Sequence, residues 1–246
     1  MSLDDFRHEA LTDVSSTNTE CLERARKGAL SGLWVTAVRQ TGGRGRRGRA
    51  WFSEPGNLYA SLMLIDAAPM DRLGSLPLAV AVAVQDAISR VMPLDAPDVL
   101  IKWPNDILIE RLKVCGILVE GEMLPDGRHA LVIGIGINVA VAPEVGLYPV
   151  ATLREFGVSA SPDELFAHLF QSMAETLSLW NGGQGIALIM ERWKQVAGGI
   201  GENITVNLPD RSISGRFAGI DDTGLLKLET DDGGTRLIAA GDVFFG

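Results

Sequence analysis

The sequence predicts an α+β protein in which strands and helices form a large first domain and a small β-barrel follows. Up to residue 198, apolar runs of strand length are separated by segments in which apolar residues recur at helical spacing. After Gly198 and Gly199 the period changes, and short strand-like runs separated by turn sequences remain. We therefore predict two domains, residues 1–198 and residues 199–246.

The composition argues against several classes of protein. A hydrophobic content of 46% over 246 residues is enough for a substantial core, and a net charge of −9 disfavours general nucleic-acid binding. The N-terminus has no apolar segment of signal-peptide length, and the most apolar run, residues 76–84, is too short to cross a membrane. Cys21 and Cys115 lie in apolar surroundings, which is typical of thiols in a reducing compartment. We expect a cytoplasmic protein without a membrane partner.

The first predicted helix begins in the hydroxyl-rich residues 15–20. Thr17 and Glu20 match a capping box, in which the two side chains bond the backbone at the start of a helix. Capping alone explains these residues, although a helix N-terminus can also present hydroxyl and N–H groups to a polar ligand. Residues 33–38 and 58–65 then have the apolar character of strands.

Residues 40–51, Gln-Thr-Gly-Gly-Arg-Gly-Arg-Arg-Gly-Arg-Ala-Trp, form the most unusual segment, which we call the Arg loop. Four arginines alternate with glycines, and no Asp or Glu occurs in residues 24–53. Repulsion between guanidinium groups and the cost of ordering glycine predict a mobile loop between the two strands. Backbone N–H groups and guanidinium forks match phosphate and carboxylate oxygens, which favours anion binding. A solvated linker or an RNA-contacting tract is the alternative.

A helix is predicted from Ser75 to about residue 92, because Pro77 suits a first helical turn, although the alternating Ala and Val residues also fit a strand. Residues 98–102 form a short strand that ends before Pro104. Lys102 therefore lies at a strand end beside a turn, a common place for functional side chains. A lysine in an ordinary surface turn is the alternative.

Two buried strands are predicted at residues 114–121 and 130–139, with a turn between them. The second strand contains Gly134 and Gly136, followed by Asn138. Glycines weaken a strand and usually mark the close approach of a ligand or of another backbone. We expect a ligand against this strand, with Asn138 at its rim.

The remaining chain is predicted to form two helices and a β-meander. Ser161 and Glu164 form a capping box around Pro162 for a helix to about residue 180, and a second helix covers residues 186–196. Short strands are predicted at residues 203–208, 212–220, 225–230 and 235–240.

Four motifs, in their order and spacing, resemble those of the biotin protein ligases. They are Ser-Thr-Asn at 16–18, Gly-Arg-Gly-Arg-Arg-Gly-Arg-x-Trp at 43–51, Lys-Trp-Pro-Asn-Asp at 102–106 and Gly-Ile-Gly-Ile-Asn at 134–138. Each motif alone is weak, whereas the four together are specific. The resemblance covers residues 14–153, and the C-terminal barrel is similar to the SH3-like domain of the family.

The resemblance implies a class II synthetase-like mixed sheet with helices packed on one side in the catalytic domain, residues 1–198, and an SH3-like β-barrel in residues 199–246. It implies that biotin and ATP, with Mg2+, give biotinyl-5′-AMP and pyrophosphate. A lysine of a biotin carboxyl carrier protein, a domain of a biotin-dependent carboxylase, then attacks the adenylate. Bifunctional family members carry an N-terminal winged helix for DNA. Only a short segment precedes Val14 here, so no DNA binding is expected.

The resemblance also implies roles for individual residues. Catalysis is assigned to Arg44, Arg46 and Lys102. Biotin binding is assigned to Ser16, Thr17, Asn18, Gln40, Gly43, Arg44, Gly45, Arg46, Trp51, Lys102, Gly134 and Gly136. ATP binding is assigned to Arg46, Arg47, Arg49, Trp51, Asn105 and Asn138. Asp106 is the candidate metal ligand.

Two other functions remain open from the sequence. A lipoate ligase performs the same acyl adenylation on a different acid, but the Arg-rich loop in this form argues against it. A non-enzymatic RNA-binding or adaptor module would bind RNA in a salt-dependent way and would not consume ATP. The sequence also leaves open whether the protein is a monomer or a homodimer.

Overall fold

The first sheet is mixed and contains seven strands in the computed structural model, which describes residues 2–143 and 149–246. Its strands are β1 (Arg7–Val14), β2 (Leu33–Gln40), β3 (Leu58–Ile65), β4 (Val99–Lys102), β5 (Asp106–Ile109), β6 (Leu112–Met123) and β7 (His129–Ile137). Their order across the sheet is β1-β2-β3-β7-β6-β5-β4. β1 and β2 run parallel, and the other neighbours run antiparallel. The longest strands, β6 and β7, therefore lie near the centre of the sheet.

Helices cover both faces of this sheet. They are α1 (Thr17–Arg26), α2 (Leu76–Ser89), α3 (Pro162–Trp180) and α4 (Ile186–Gln195). Trp34 of β2 packs in the core cluster of α2, α3 and α4, whereas its neighbours Leu33 and Val35 pack with Cys21 and Ala25 of α1. Because successive side chains of a strand point to opposite faces, α1 lies on the opposite face from the other three helices. The expectation of helices on one side was therefore wrong for α1.

The second sheet is antiparallel and follows the helices. Its strands are β8 (Asn203–Asn207), β9 (Ser212–Ile220), β10 (Leu226–Glu229), β11 (Thr235–Ile238) and β12 (Asp242–Phe245). They pair in the order β11-β10-β9-β8-β12. The predicted fold class, a mixed sheet with helices followed by a small antiparallel β structure, is confirmed. No helix in the described part of the chain is long and apolar enough to cross a membrane.

Three strands were not predicted, and each has a physical reason. Most side chains of β1 are exposed at the edge of the sheet, so its sequence lacks the alternation of a half-buried strand. β5 and β12 contain only four residues each, which is too short for a period to be recognised. β12 nevertheless matters for the site, because it brings Asp242 next to the Arg loop.

The helix starts differ in one case from the prediction. α1 begins at Thr17, and its N-cap is Ser16, so Thr17 is not a capping residue. Thr17 instead donates both its backbone N–H and its hydroxyl to Gln40 Oε1, at 2.9 and 3.1 Å. The predicted capping box at Ser161 and Glu164 is present at the start of α3. The helical interpretation of residues 76–89 is also confirmed.

Candidate active site

A cavity of about 730 Å³ lies on the face of the sheet that α1 only partly covers. α1 packs on Ala130 and Val132 of β7, and the cavity continues beyond the helix over Gly134 and Gly136. Its wall comprises Ser16, Thr17, Asn18, Gln40, Arg44, Gly45, Arg46, Arg49, Ala50, Trp51, Phe52, Asn105, Asp106, Lys113, Gly116, Ile117, Leu118, Gly134, Ile135, Gly136, Asn138, Pro143, Val150 and Asp242. The cavity therefore receives residues from both sheets.

One end of the cavity is a polar group at the start of α1. Gln40 at the end of β2 accepts from Thr17 and donates through Nε2 to Ser53 Oγ at 3.0 Å. The buried Ser61 hydroxyl lies 2.7 Å from Thr17 Oγ1 and donates to Asn18 Oδ1 at 2.6 Å. These bonds fix the orientation of side chains that are almost fully buried, so this end presents a preorganised set of donors and acceptors.

Glycines on β6 and β7 form the floor of the cavity. Gly116 lies opposite Gly136 in the register of the two strands. A Cβ atom on Gly136 would collide with the Trp51 indole, and one on Gly116 would lie 2.8 Å from Trp51 Cζ3. A Cβ on Gly134 would collide with the Asn18 amide. The glycines thus admit two side chains of the site against the sheet, whereas the sequence interpretation had the ligand itself lying against them.

The Arg loop crosses the cavity without a long regular element. It contains a bridge between Arg44 and Ala50 and one 3-10 turn, Arg46–Gly48. Arg44 donates from Nε and Nη2 to Glu120, at 3.0 and 2.7 Å, and from Nη1 to the Thr19 hydroxyl at 3.1 Å. This arginine is therefore held towards the α1 end of the cavity.

The other arginines of the loop reach the opposite end. Arg46 donates to Asn105 Oδ1 at 2.9 Å and to the Gly241 carbonyl at 3.3 Å. Arg47 and Arg49 both donate to Asp242 Oδ2, at 2.9 and 2.6 Å. Burial acts to raise the pKa of Asp242, but the hydrogen bond and charge of Arg49, with the charges of Arg47 and Arg46, outweigh it and lower the pKa. Asp242 is thus a carboxylate of the protein itself that binds the arginines of the loop.

Two lysines lie near this end, but only Lys113 lines the cavity. The pairing of β5 with β6 shifts register, because Ile107 faces Cys115 while Leu108 faces Lys113. The extra residue is a bulge, which re-aims Lys113 towards the cavity face. Its Nζ lies 2.6 Å from Asp106 Oδ1 and 5.4 Å from the centre of a Trp51 ring.

Lys102, the predicted catalytic lysine, does not line the cavity, although the charges of the wall residues Asp106 and Lys113 act on it. It is 7% exposed, and its Nζ lies 5.7 Å from the ring centre of Phe244 on β12. Burial lowers the pKa of Lys102, and the nearby carboxylate of Asp106 offsets this only partly. Phe244 of the second sheet thus lies next to the strand end that carries Lys102, and the alternative of an ordinary exposed surface turn does not hold.

The candidate metal ligand Asp106 is the carboxylate paired with Lys113. Within residues 2–143 and 149–246, no group of three or more His, Cys, Asp or Glu side chains is arranged to hold a metal ion. Mg2+ usually keeps several waters and takes one or two carboxylates together with substrate phosphates. Asp106 fits that limited role and does not form an all-protein site.

Most residues predicted for the site are brought together in one cavity. Three lie outside its wall: Gly43, Arg47 and Lys102. A Cβ on Gly43 would lie 2.8 Å from the Trp51 carbonyl oxygen, so Gly43 serves the packing of the loop. Sequence reasoning missed Lys113, Gly116, Glu120 and Asp242. Lys113 and Glu120 could have been noticed as charged residues beside the apolar residues of β6. No feature of the sequence around Asp242 indicated a role in the site.

The sequence matches two family models. The Biotin/lipoate A/B protein ligase family matches residues 11–138, and the Biotin protein ligase C terminal domain matches residues 199–246. A biotin--[acetyl-CoA-carboxylase] ligase of Paracoccus denitrificans is 36% identical over 96% of this chain and 99% of its own length. The bifunctional ligase/repressor BirA of Escherichia coli is 35% identical over 89% of this chain and 68% of its own length.

A solved structure shows the same likeness. The biotin protein ligase from Aquifex aeolicus in complex with biotin and ATP superposes with a TM-score of 0.81 at 28% identity and covers 98% of both chains. The matched family models, the identity to curated ligases and the superposition of the whole fold agree with one another. The chain therefore belongs to the biotin/lipoate A/B protein ligase family, within its biotin protein ligases.

Proposed function

We propose that this chain activates biotin with ATP to biotinyl-5′-AMP and transfers biotin to a lysine of a biotin carboxyl carrier protein. The observation that carries the proposal is a single cavity with a preorganised polar end at α1, a second end at Asn105 and Asp242, and the Arg loop between them. One acid and one nucleotide can therefore meet beneath the arginines. The related ligase from Aquifex aeolicus was solved with biotin and ATP.

The α1 end suits the head group of biotin. A ureido group requires both donors and acceptors, which Ser16, Thr17, Asn18 and Gln40 supply on the cavity wall. Leu118 and Ile135 also line the cavity and suit an apolar ring and chain. The carboxylate of biotin then points along the cavity, towards Arg44 and Lys113.

The cations between the two ends address the main obstacle to the first step. Bringing a carboxylate to within about 4 Å of a phosphate charge costs roughly 1 kcal/mol in bulk water and roughly 4 at an effective dielectric near 20. Arg44, Arg46 and Lys113 surround this part of the cavity and offset that repulsion. The carboxylate oxygen attacks the α-phosphorus, the bond to the bridging oxygen breaks, and pyrophosphate leaves.

We assign to Lys113 the role that the sequence had suggested for Lys102. Lys113 is part of the cavity wall, whereas Lys102 is buried and does not line the cavity. Lys113 pairs with Asp106 in the protein alone, and an incoming carboxylate or phosphate provides further oxygens for the same ammonium. Lys102 then acts as a buried positive charge near the wall residues Asp106 and Asp242.

Mg2+ would enter with ATP, as the counter-ion of its phosphates. When bound, it supplies charge neutralisation at the phosphate oxygens. Asp106 is the carboxylate of the cavity wall that fits better as a protein ligand, since it is paired with one lysine whereas Asp242 is paired with two arginines.

In the second step, the amine of a carrier lysine attacks the acyl carbon of the adenylate. The amide bond forms, the bond between the acyl carbon and the phosphate oxygen breaks, AMP leaves, and the amine loses a proton. The Arg loop covers the cavity and keeps water from the mixed anhydride until the carrier arrives. The proposed partner is thus a biotin-dependent carboxylase.

The proposal is tested by ATP–pyrophosphate exchange with the full chain. Label from pyrophosphate should enter ATP when biotin is added and should not enter when the acid is omitted. Exchange that depends on lipoate and not on biotin would instead identify a lipoate ligase. RNA binding without any acid-dependent exchange would remove the enzymatic proposal altogether.

A further inference from the structure

Glu120 on β6 has no role in the activity described so far, yet it bonds both the Arg loop and the first turn of α1. Its Oε1 accepts from Arg44 Nε at 3.0 Å, and its Oε2 accepts from Arg44 Nη2 at 2.7 Å. The same Oε2 accepts from Asn18 Nδ2 at 2.7 Å. One carboxylate therefore links the Arg loop, the first turn of α1 and β6 of the sheet.

This arrangement leaves part of the Arg44 guanidinium facing the cavity. A guanidinium has five N–H donors. Within the described part of the chain, Glu120 and Thr19 account for three of the donors of Arg44. One N–H on Nη1 and one on Nη2 remain, and two such groups form the fork that binds a carboxylate in a bidentate manner.

The same bonds orient the neighbouring amide. Asn18 donates to Glu120 through Nδ2 and accepts from Ser61 at Oδ1, so both ends of its side chain are fixed. Gly134 provides the space for this amide against the sheet. Without Glu120, Asn18 Nδ2 loses this acceptor, and Arg44 keeps only its bond to Thr19.

We propose that Glu120 is a positioning residue that presents the Arg44 fork and the Asn18 amide to the acid substrate. The proposal rests on the function proposed above and adds a residue that acts through others, without touching the substrate. It explains why an acidic side chain lies next to a site for an acid. Glu120 repels the carboxylate of the acid substrate, and this repulsion is the cost of fixing Arg44, which a glycine-rich loop carries.

Stability alone does not explain the pair. The side chains of Arg44 and Glu120 are 30% and 29% exposed, and ion pairs at such exposure contribute little to folding. A purely structural role, as acceptor for the buried Asn18 amide, therefore predicts a lower melting temperature in Glu120→Ala and no change in the use of biotin. A positioning role predicts an effect on biotin that the melting temperature does not report.

The chain offers a matched control on the same strand. Glu122 lies two residues after Glu120 on the same face of β6 and receives Arg26 Nε at 2.7 Å and Arg26 Nη2. Glu122 thus joins β6 to the C-terminal end of α1 through a hydrogen-bonded ion pair, as Glu120 joins β6 to the Arg loop. Neither carboxylate lines the cavity, but Glu120 bonds two residues of its wall, whereas Arg26, the partner of Glu122, is not part of the wall.

The test compares Glu120→Ala, Glu120→Gln and Glu122→Gln in the full chain by biotin-dependent ATP–pyrophosphate exchange and by melting temperature. Glu120→Ala should raise the KM for biotin roughly 10- to 100-fold, the range for loss of hydrogen bonds to charged groups. Glu120→Gln should lie between it and the wild type. The KM for ATP should change less than about threefold, because Arg46 and Arg49 keep their partners. Glu122→Gln should match the wild type.

A double-substitution cycle decides whether Glu120 acts through Arg44. If it does, adding Glu120→Ala to Arg44→Ala should cost far less than Glu120→Ala costs alone. A KM for biotin that is unchanged or lower in Glu120→Ala, or full additivity in the cycle, overturns the proposal. These outcomes require an active wild type. Absence of biotin-dependent exchange in the wild type is a failure of the proposed function and is recognised separately.

Discussion

At the scale of single residues, the site depends on glycines, which have no side chain, as much as on charged residues. Gly116 and Gly136 face each other across β6 and β7, and the Trp51 indole occupies the space that their Cβ atoms would need. Trp51 in turn lies beneath Lys113, at 5.4 Å from its Nζ. A change at the floor of the cavity should therefore be transmitted to the groups that bind substrate.

The substitution Gly136→Ala tests this stacking. The added methyl group meets the indole of Trp51, and such overpacking usually costs about 1–3 kcal/mol. We expect Trp51 to move and the exchange rate to fall at least about tenfold, by more than any loss of folded protein explains. Gly74→Ala is the control, since a Cβ there meets nothing within 4 Å. Normal exchange in Gly136→Ala would show that the position of Trp51 does not matter.

At the scale of elements, the Arg loop is held by ion pairs at both of its ends. Arg44 is bound to β6 through Glu120, and Arg47 and Arg49 are bound to β12 through Asp242. At the second anchor, Arg47 and Gly48 have positive φ angles of 58° and 70°, a backbone conformation that only glycine adopts without cost. The order of this strained turn therefore depends on the anions that its arginines bind.

We predict that biotin plus ATP protects the Arg loop from trypsin. Substrate oxygens add partners to the arginines and close the loop over the cavity, which lowers the population of open loop that a protease needs. The measurement is the rate of cleavage after the loop arginines, with and without substrates. Cleavage after Arg211, which lies in an exposed turn, serves as an internal reference. Equal protection ratios at both places would contradict the prediction.

Asp242 connects the loop to the second sheet, and its effect has a defined dependence on pH. Its pKa in the folded protein is lowered, so the contact is fully present above the ordinary value of 3.8 and is lost as pH falls through the lower folded value. Asp242→Asn should reproduce the acidic state at neutral pH. It removes the charge that holds Arg47 and Arg49.

For Asp242→Asn we expect the free protein to be cleaved in the Arg loop about two- to tenfold faster at pH 7, the range for partly exposed ion pairs. Asp210→Asn removes a more exposed carboxylate, paired with Arg211 in the same domain, and should leave the cleavage rate unchanged. An Arg loop equally resistant in both variants would show that the second sheet does not restrain it.

At the scale of the whole molecule, the second sheet completes the wall of the cavity that lies on the first sheet. Arg46 donates to the Gly241 carbonyl, and the Trp103 indole donates to the Gly224 carbonyl at 3.1 Å. Arg111 also pairs with Glu202 at 2.7 Å. These contacts place β12 next to β4, so that Phe244 covers Lys102 and Asp242 enters the cavity wall.

The parts of this arrangement that the sequence predicts are those with local causes. Helix α3 has its capping box, and the Arg loop has its glycines and charges. The strand with Gly134 and Gly136 is an apolar run that these two glycines interrupt. The part that it does not predict depends on contacts between distant segments. Lys102 and Lys113 could be told apart only after the bulge in β6 and the position of β12 were known.

The central claim is that acid and nucleotide meet at Lys113 beneath the Arg loop. The most direct test is the biotin-dependent ATP–pyrophosphate exchange rate of the wild type, Lys113→Ala and Lys102→Ala, with melting temperatures measured in parallel. The wild type should exchange, and Lys113→Ala should lose roughly 10²- to 10³-fold, as expected for one preorganised donor. The loss in Lys102→Ala should be clearly smaller. Near-normal exchange in Lys113→Ala, or a larger loss in Lys102→Ala at unchanged stability, would contradict the account.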